Sequence, residues 1–374
     1  MYAAENHIQL LKNNLSNEVW ESGCEWVWQQ IFPLSRDLTG NYSNQTFQTQ
    51  KKWSSINTMD PAYDQYEKAR EFYRTHEYLA WIGEDESDEE TIRSANEEAL
   101  DQSENANSPA NTDSASAKIS DQPMIYLMQQ LMDYDFLMKH FYNVHTSTTA
   151  DRELMNAKNL LSKDLTLEKE DAPQILIYHT HSQESYKNSK TDENVVAVGQ
   201  KLTDLLTEKG WNVYHDTTVY DLAGGKLDRS RAYTYALEGI NEILARYPSI
   251  QVVLDIHRDG VGENVYLKTE IGGQPTARIM FFNGLSQTPE GPISYLANPF
   301  REDNLAFSLK LQLKAEEYYP GFTRKIYLKG LRYNQHLRAR SALVEVGAQT
   351  NTFEEACNAM MPLAELLDMV LQGK

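Results

Sequence analysis

The chain has few cysteines, no long apolar run and no excess of positive charge. Two cysteines in 374 residues, Cys24 and Cys357, are too few for a disulfide-stapled scaffold or a four-thiolate zinc site. Any metal must therefore be held by histidine and carboxylate side chains. The 35 basic and 54 acidic side chains sum to a formal charge of -19, so the chain lacks the positive field that drives nonspecific nucleic-acid binding. A nucleic acid is not an expected partner.

Targeting signals are also missing from the sequence. No window approaches the ~20 consecutive apolar residues that a membrane-spanning helix needs. The start, Met1 to His7, lacks the charged and apolar regions of a secretory signal. Taken alone, these absences predict a cytoplasmic protein. A chain that begins downstream of a removed anchor would look the same, and the sequence leaves both cases open.

Composition divides the chain into four parts. Residues 1–83 hold five of the six tryptophans (Trp20, Trp26, Trp28, Trp53 and Trp81), and they predict a small, mostly helical N-terminal region with a docking or packing role. Residues 84–122 carry twelve acidic and two basic side chains with almost no large apolar residue, so burial cannot offset the entropy of ordering them. They predict a disordered acidic linker. Residues 123–171 predict a helical pre-catalytic segment, and residues 172–374 a catalytic domain.

The last part alternates short β-branched runs with longer segments of helical periodicity. Strands are predicted at Ile175–Tyr178, Trp211–Tyr214, Ile250–Ile256, Ala277–Phe282, Lys325–Leu328 and Ala342–Val346, and helices at Val195–Leu206, Arg229–Arg246, Arg301–Tyr318 and Thr352–Leu371. Before them, helices are predicted at Met124–Tyr142 and Met155–Leu161. The alternation predicts an α/β fold with a mainly parallel sheet flanked by helices.

Three polar clusters follow predicted strands. The first is the run His179-Thr180-His181-Ser182-Gln183-Glu184, the second is His257-Arg258-Asp259, and the third is Glu345 in an otherwise apolar strand. Ligands of parallel sheets bind at the carboxyl ends of the strands. We therefore expect the three clusters to surround one cleft.

Their side chains are those of a mononuclear zinc hydrolase, which uses two histidines, one carboxylate and a separate glutamate that moves a proton. His181 and Glu184 form an H-x-x-E pair, and His257 is the natural third ligand. Glu345 fits the general base, because apolar neighbours raise the pKa of a carboxylate toward neutrality. His179 could replace His181 as a ligand, although strand alternation favours a role in orienting one.

Structural roles remain open for several of these residues. A histidine at a strand end, such as His257, is more often a hydrogen-bonding residue than a ligand. Glu345 could form a salt bridge with Arg338 or Arg340. The histidines outside the three clusters are expected to be structural: His7, His76, His140, His145, His215 and His336.

Several separated segments carry a recognisable pattern. They are Phe141–Val144, Leu160–Asp164, Tyr178–Tyr186, Asn194–Gly199, Asp255–Asp259, Arg332–Gln335, Leu343–Gly347 and Asn351–Ala356. In this order they resemble the stage II sporulation protein P family, over a span from about Leu131 to about Glu365. The region before Leu131 has no counterpart in this pattern, and around Arg231–Ala236 the match is loose.

The resemblance implies a zinc-dependent N-acetylmuramoyl-L-alanine amidase that also cleaves stem-peptide crosslinks. Such proteins act on peptidoglycan in septal remodelling and engulfment during sporulation, with a lytic transglycosylase and other membrane-anchored sporulation proteins as partners. They are anchored in the membrane, with the catalytic domain outside the cytoplasm. The sequence departs from the family in showing no anchor.

The resemblance also implies roles for single residues. Zn²⁺ would be held by His181, Glu184 and His257, and Glu345 would be the catalytic base. Arg258 could stabilise an oxyanion or hold a stem-peptide carboxylate, and it could equally pair with Asp259. Asn334 and Gln335 could donate hydrogen bonds to sugar or peptide, or they could brace a loop.

Two other functions compete with the amidase. A catalytically silent module that binds peptidoglycan and recruits partners should have lost a ligand or the base, whereas His181, Glu184, His257 and Glu345 are all present. The arrangement is also similar to that of zinc carboxypeptidases, which release terminal residues from peptides. Analysis of reaction products separates that activity from an amidase.

Overall fold

The structure is a computed structural model that describes residues 128–223 and 226–374. The Trp-rich region 1–83 and the acidic linker 84–122 lie outside these residues. The predicted segment 123–171 is described from Met128 onward, and the predicted catalytic domain 172–374 except for residues 224 and 225.

The described residues form seven α-helices and thirteen short or long strands. The helices are α1 (Met128–Met132), α2 (Tyr134–Phe141), α3 (Ala157–Ser162), α4 (Val195–Glu208), α5 (Arg229–Arg246), α6 (Arg301–Tyr318) and α7 (Phe353–Leu371), with a 3-10 helix at Ser294–Leu296. The strands are β1 (Tyr142–Val144), β2 (Ile175–Tyr178), β3 (Val213–His215), β4 (Leu222–Ala223), β5 (Lys226–Leu227), β6 (Val252–Asp259), β7 (Lys268–Ile271), β8 (Gln274–Ala277), β9 (Ile279–Gly284), β10 (Gln287–Thr288), β11 (Gly291–Pro292), β12 (Ile326–Lys329) and β13 (Arg340–Ala348).

The central sheet of the described part has seven strands in the order β1-β12-β9-β13-β6-β2-β3. All neighbouring pairs are parallel except β9 with β13, which run antiparallel. The prediction of an α/β fold with a mainly parallel sheet is confirmed. The antiparallel pair was not predicted, and it divides the sheet into two halves whose strands point in opposite directions.

The two faces of the sheet are covered by different helices. Side chains alternate between the faces along each strand. Ile177 and Leu254 belong to a large buried core that includes residues of α4, α6 and α7. Leu176 and Val253 point the other way and pack with Ala236 of α5. By the same alternation, the residues that follow Val253 at every second position lie on the face covered by α5.

The segment expected to be helical also supplies a strand to the sheet. β1 pairs in parallel with β12, and Phe141 and Met155 are buried in the main core. The helix predicted over Met124–Tyr142 is interrupted at Asp133. Its carboxylate accepts a hydrogen bond from the backbone N–H of Phe136 at 3.0 Å and caps α2. Residues 128–171 are therefore part of the same packed unit as the sheet.

Helix α4 lies close enough to the sheet to require glycine at one position. Gly199 faces the buried ring of His179, and a Cβ atom at residue 199 would lie 2.5 Å from His179 Cε1 and 2.6 Å from Nε2. Both ring nitrogens of His179 are engaged, with Ile256 and with His215. The ring therefore has little freedom to move away from α4.

Gly199→Ala is expected to destabilise the protein by ~1–3 kcal/mol, the usual cost of overpacking a well-filled core. Urea unfolding measures the free energy of unfolding. The control is Lys201→Ala on the exposed side of the same helix, which should stay within ~0.5 kcal/mol of the parent protein. Equal stability of the two variants would mean that His179 can relocate without loss.

Candidate active site

The three predicted polar clusters meet on one face of the sheet. Strand β6 lies between β2 and β13. Glu345 on β13 is paired in register with His257 on β6, and paired residues of neighbouring strands point to the same face. His181 and Glu184 lie in the turn that follows β2. The cluster of His257, Arg258 and Asp259 belongs to β6 itself, since this strand extends three residues beyond its predicted end.

The two histidines predicted as ligands lie next to each other. The ring centroids of His181 and His257 are 5.2 Å apart, with the ring planes at 86°. His181 Nδ1 is buried and has no hydrogen-bond partner within residues 128–223 and 226–374. Burial holds the pKa of His181 well below its usual value, so its nitrogens are available as neutral donors to a cation.

Acidic groups surround His257. Its Nε2 lies 2.8 Å from Asp255 Oδ1, and its Nδ1 lies 3.6 Å from Glu184 Oε2. Burial alone would lower the pKa of His257, but Asp255, Glu184 and Glu345 together raise it to about 9. The pocket therefore favours a positive charge at this position.

Glu184 is held from two sides. Its Oε1 accepts a hydrogen bond from Arg229 Nη2 at 2.5 Å, and its Oε2 accepts one from the backbone N–H of Arg258 at 3.0 Å. The side chain is only 3% exposed. These contacts fix the carboxylate so that Oε2 faces His257.

Glu345 has the environment expected of a general base. Its Oε2 is buried, and no described residue forms a hydrogen bond with it. Burial raises the pKa of Glu345 to about 8, and the negative charge of Asp259 adds to the shift. The two arginines considered as salt-bridge partners bind backbone carbonyls instead: Arg338 Nε donates to Ile250, and Arg340 Nε donates to Leu165.

The side chains of His181, His257 and Glu184 are chemically suited to a metal ion, although they do not surround one common point. In the described ranges, no group of three or more His, Cys, Asp or Glu side chains is arranged to hold a metal ion. The chemistry of the donors nevertheless matches a divalent cation. Among the described residues, His181 offers a buried nitrogen without a hydrogen-bond partner, and His257 Nδ1 lies 3.6 Å from Glu184 Oε2.

His179 lies outside this group of donors. Its Nδ1 is 3.0 Å from the carbonyl oxygen of Ile256, and its Nε2 is 2.9 Å from Nε2 of His215. Burial lowers the pKa of His179 to about 3. With both nitrogens engaged, this ring has none left for a metal. Its contacts join β2, β6 and β3.

The side chains of Arg258, Asn334 and Gln335 donate hydrogen bonds to backbone carbonyls. Arg258 Nε donates to the carbonyl of Ser185 at 3.0 Å, and its Nη1 to the carbonyl of Asp259 at 3.2 Å. Asn334 Nδ2 donates to the carbonyl of Tyr233 at 2.9 Å. Gln335 braces the end of β9: its Nε2 donates to the carbonyl of Phe282 and its Oε1 accepts from the N–H of Gly284.

Three neighbours of the site were not predicted from the sequence. The Tyr233 ring lies parallel to that of His257, with centroids 6.4 Å apart, and meets His181 edge to face at 5.5 Å. Arg229 binds Glu184. Asp255 contacts His257. Asp255 could have been predicted from the alternation of side chains along β6, because this residue lies two positions before His257 and on the same face.

A buried ion pair supports the end of β6, close to Glu345. Arg324 Nη1 donates to Asp259 Oδ2 at 2.5 Å, and both side chains are almost fully buried. The carboxylate of Asp259 is therefore paired with Arg324 and not with its neighbour Arg258.

Arg324→Met is expected to cost ~3–5 kcal/mol of stability, because it leaves a buried carboxylate without its partner. Urea unfolding is the measurement. Adding Asp259→Asn to this variant removes the unpaired charge and should restore much of the loss. A single variant that unfolds within about 1 kcal/mol of the parent protein would show that water or another group compensates Asp259.

Comparison with known proteins identifies the family. The model of the stage II sporulation protein P family matches residues 43–368. The chain belongs to this family. The match begins well before Leu131, where the recognisable motifs start, so it includes part of the Trp-rich region and the acidic linker.

A stage II sporulation protein P of Bacillus subtilis (strain 168) is 28% identical over 214 residues, which are 52% of this chain and 50% of the relative. The chain therefore matches about half the length of this curated relative.

Solved structures of amidases are among those similar to the chain. The CwlD amidase from Clostridioides difficile, solved in complex with the GerS lipoprotein, aligns with a TM-score of 0.35 and 15% identity, covering 52% of this chain and 99% of that one. The N-acetylmuramyl-L-alanine amidase Ami1 from Mycobacterium smegmatis aligns with a TM-score of 0.32 and 10% identity, covering 54% of this chain and 99% of that one.

One further observation concerns membranes. Among the helices of the described ranges, none combines the length and the apolar character needed to cross a bilayer.

Proposed function

We propose that the protein is a zinc-dependent peptidoglycan hydrolase that cleaves the amide between N-acetylmuramic acid and L-Ala. The observation that carries the proposal is the meeting of His181, His257, Glu184 and Glu345 on one face of the sheet. Two imidazoles, one fixed carboxylate and a second carboxylate with a raised pKa are the parts that a mononuclear zinc hydrolase needs. Membership of the stage II sporulation protein P family supports the choice of substrate.

His181, Glu184 and His257 are the residues that would hold the zinc ion. When bound, zinc supplies the Lewis acid that polarises a scissile carbonyl and lowers the pKa of water. Arg229 and the N–H of Arg258 keep the Glu184 carboxylate oriented. Such outer contacts typically tune the affinity of a site for its metal.

Glu345 carries out the proton transfers. As a carboxylate, it removes a proton from the attacking water while the carbon–oxygen bond forms at the amide carbon. It then gives that proton to the nitrogen of L-Ala as the carbon–nitrogen bond breaks. A pKa raised to about 8 suits a group that must both accept and return a proton near neutral pH.

Arg258 is the candidate for recognition of the stem peptide. Its guanidinium donates to two backbone carbonyls and forms no salt bridge with a carboxylate of the described residues. A stem-peptide carboxylate would supply the missing negative charge. The backbone N–H of the same residue donates to Glu184 Oε2, so Arg258 is joined to one of the proposed ligands.

The proposal extends to the setting of the reaction. Family membership supports a role in septal cell-wall remodelling and engulfment during sporulation, outside the cytoplasm and next to the membrane. Cleavage of stem-peptide crosslinks is a second proposed activity. The proposed partners are a lytic transglycosylase and membrane-anchored sporulation proteins.

Metal analysis combined with mass spectrometry of digested muropeptides tests the proposal. The expected products are glycans that have lost their stem peptides and peptides with a free L-Ala amino terminus. Release of single residues from the carboxyl end of peptides would instead identify a carboxypeptidase. Binding of peptidoglycan without any new product, from a zinc-loaded protein, would favour the catalytically silent recruiting module.

A further inference from the structure

Asp255 is a buried carboxylate to which the proposed reaction assigns no role. It lies on β6, two residues before His257, and is 2% exposed. Thr180 donates two hydrogen bonds to it, one from the backbone N–H to Oδ1 at 2.9 Å and one from the hydroxyl to Oδ2 at 2.6 Å. These bonds fix the plane of the carboxylate and connect the end of β2 to β6.

Asp255 also contacts the Tyr178 hydroxyl and the ring of His257. Oδ1 lies 2.8 Å from His257 Nε2, in an ion-pair contact that departs from the linear geometry of a hydrogen bond. The other nitrogen of the same ring, Nδ1, lies on the side of Glu184, 3.6 Å from Oε2. One imidazole therefore has a carboxylate at each end.

The two carboxylates are not equivalent in their surroundings. Asp255 is enclosed between β2 and β6 and receives both donors of Thr180. Glu184 belongs to the same turn as the second imidazole, because its backbone N–H donates to the carbonyl of His181 at 3.3 Å. The Glu184 end of the His257 ring is therefore the end that faces the H-x-x-E pair.

We propose that Asp255 is a positioning residue that holds His257 by Nε2 and thereby directs Nδ1 toward the proposed metal position. The inference rests on the proposed function, because it gives His257 its orientation as a zinc ligand. A carboxylate behind a metal-binding histidine fixes the ring and its proton, and losing it typically weakens metal binding by ~10–100-fold. Asp255 touches neither substrate nor water in this role.

Asp255→Asn tests the proposal through metal affinity, measured by competition with a chromogenic zinc chelator. We expect zinc binding to weaken by ~10–100-fold, and the absorption spectrum of the cobalt-substituted protein to change. The control is Thr180→Val, which removes a hydrogen bond to the same carboxylate and leaves the contact with His257. It should change stability more than metal affinity. Unchanged zinc affinity in Asp255→Asn would overturn the inference.

A measurement on the parent protein covers the case in which Asp255→Asn does not fold. Nitrogen-15 NMR of the zinc-loaded protein distinguishes the two ring nitrogens of His257. We expect Nδ1 to be bound to the metal and Nε2 to carry the proton, and the reverse assignment would overturn the inference. A parent protein that binds no zinc would overturn both this inference and the proposed function. Zinc binding and amide hydrolysis with unchanged affinity in Asp255→Asn would overturn this inference alone.

Discussion

Glu345→Gln is expected to lower the rate of amide hydrolysis by ~10²–10⁴, the usual contribution of general acid–base catalysis, while zinc stays bound. The amide has nearly the shape of the carboxylate but cannot accept the proton of the attacking water. Since Oε2 of Glu345 has no hydrogen-bond partner among the residues that the structure describes, the substitution removes no hydrogen bond of this atom. Turnover, zinc content and thermal stability should be measured on one preparation.

The matched control is Glu354→Gln in the exposed first turn of α7. It makes the same chemical change away from the site and should leave turnover unchanged. If Glu345→Gln melts earlier and loses activity only as it unfolds, the glutamate is structural. A stable, zinc-loaded Glu345→Gln variant with near-normal turnover would eliminate Glu345 as the base, and Glu184 would become the next candidate.

His181→Ala and His257→Ala are expected to abolish both zinc binding and hydrolysis. We predict one zinc ion per chain in the parent protein. Removing either imidazole leaves an incomplete tetrahedral site, and the binding free energy falls with it. The fold should survive, because the main core below the sheet consists of other residues. Elemental analysis of the purified variants gives the zinc content.

His140→Ala is the control for these two variants, since His140 is exposed on α2 and bonds to the carbonyl of Phe136. It should retain zinc and activity. Zinc content and hydrolysis rate should thus both fall in His181→Ala and His257→Ala, whereas in Glu345→Gln the rate should fall and the zinc content should stay unchanged. Stoichiometric zinc in both His181→Ala and His257→Ala would show that the ligand assignment is wrong.

Secondary structure was predictable wherever one local signal dominated. The bounds of β2, α5 and α6 agree with the sequence prediction, because apolar periodicity ends sharply at each of them. Strand β6 begins two residues after its predicted start, Ile250, and ends three residues after its predicted end, Ile256. Its apolar run stops at Ile256, yet the backbone stays paired with β13 as far as Asp259, across a register shift between Glu345 and Ala348. The change from apolar to polar side chains after Ile256 therefore indicated where the site begins, but not where the strand ends.

The direction of strands and the neighbours of the site could not be read from the sequence. No local pattern shows that β9 runs against β13, since buried strands of either direction are equally apolar. Arg229 lies 45 residues from Glu184 along the chain, and only the position of α5 over the sheet brings it there. Tyr233 reaches the two histidines for the same reason. The proposed ligands and the proposed base could be suggested from the sequence because each follows or occupies an apolar strand.

The last strand along the chain, β13, occupies the middle of the sheet between β9 and β6. Until residues 340–348 leave the ribosome, β9 and β6 each keep an open edge of unpaired backbone groups, a surface that recruits other chains. The same strand carries Glu345. During synthesis, the strand that completes the sheet and the candidate base therefore become available at the same time. A chain terminated before β13 would be an inert, aggregation-prone product and not a partly active hydrolase.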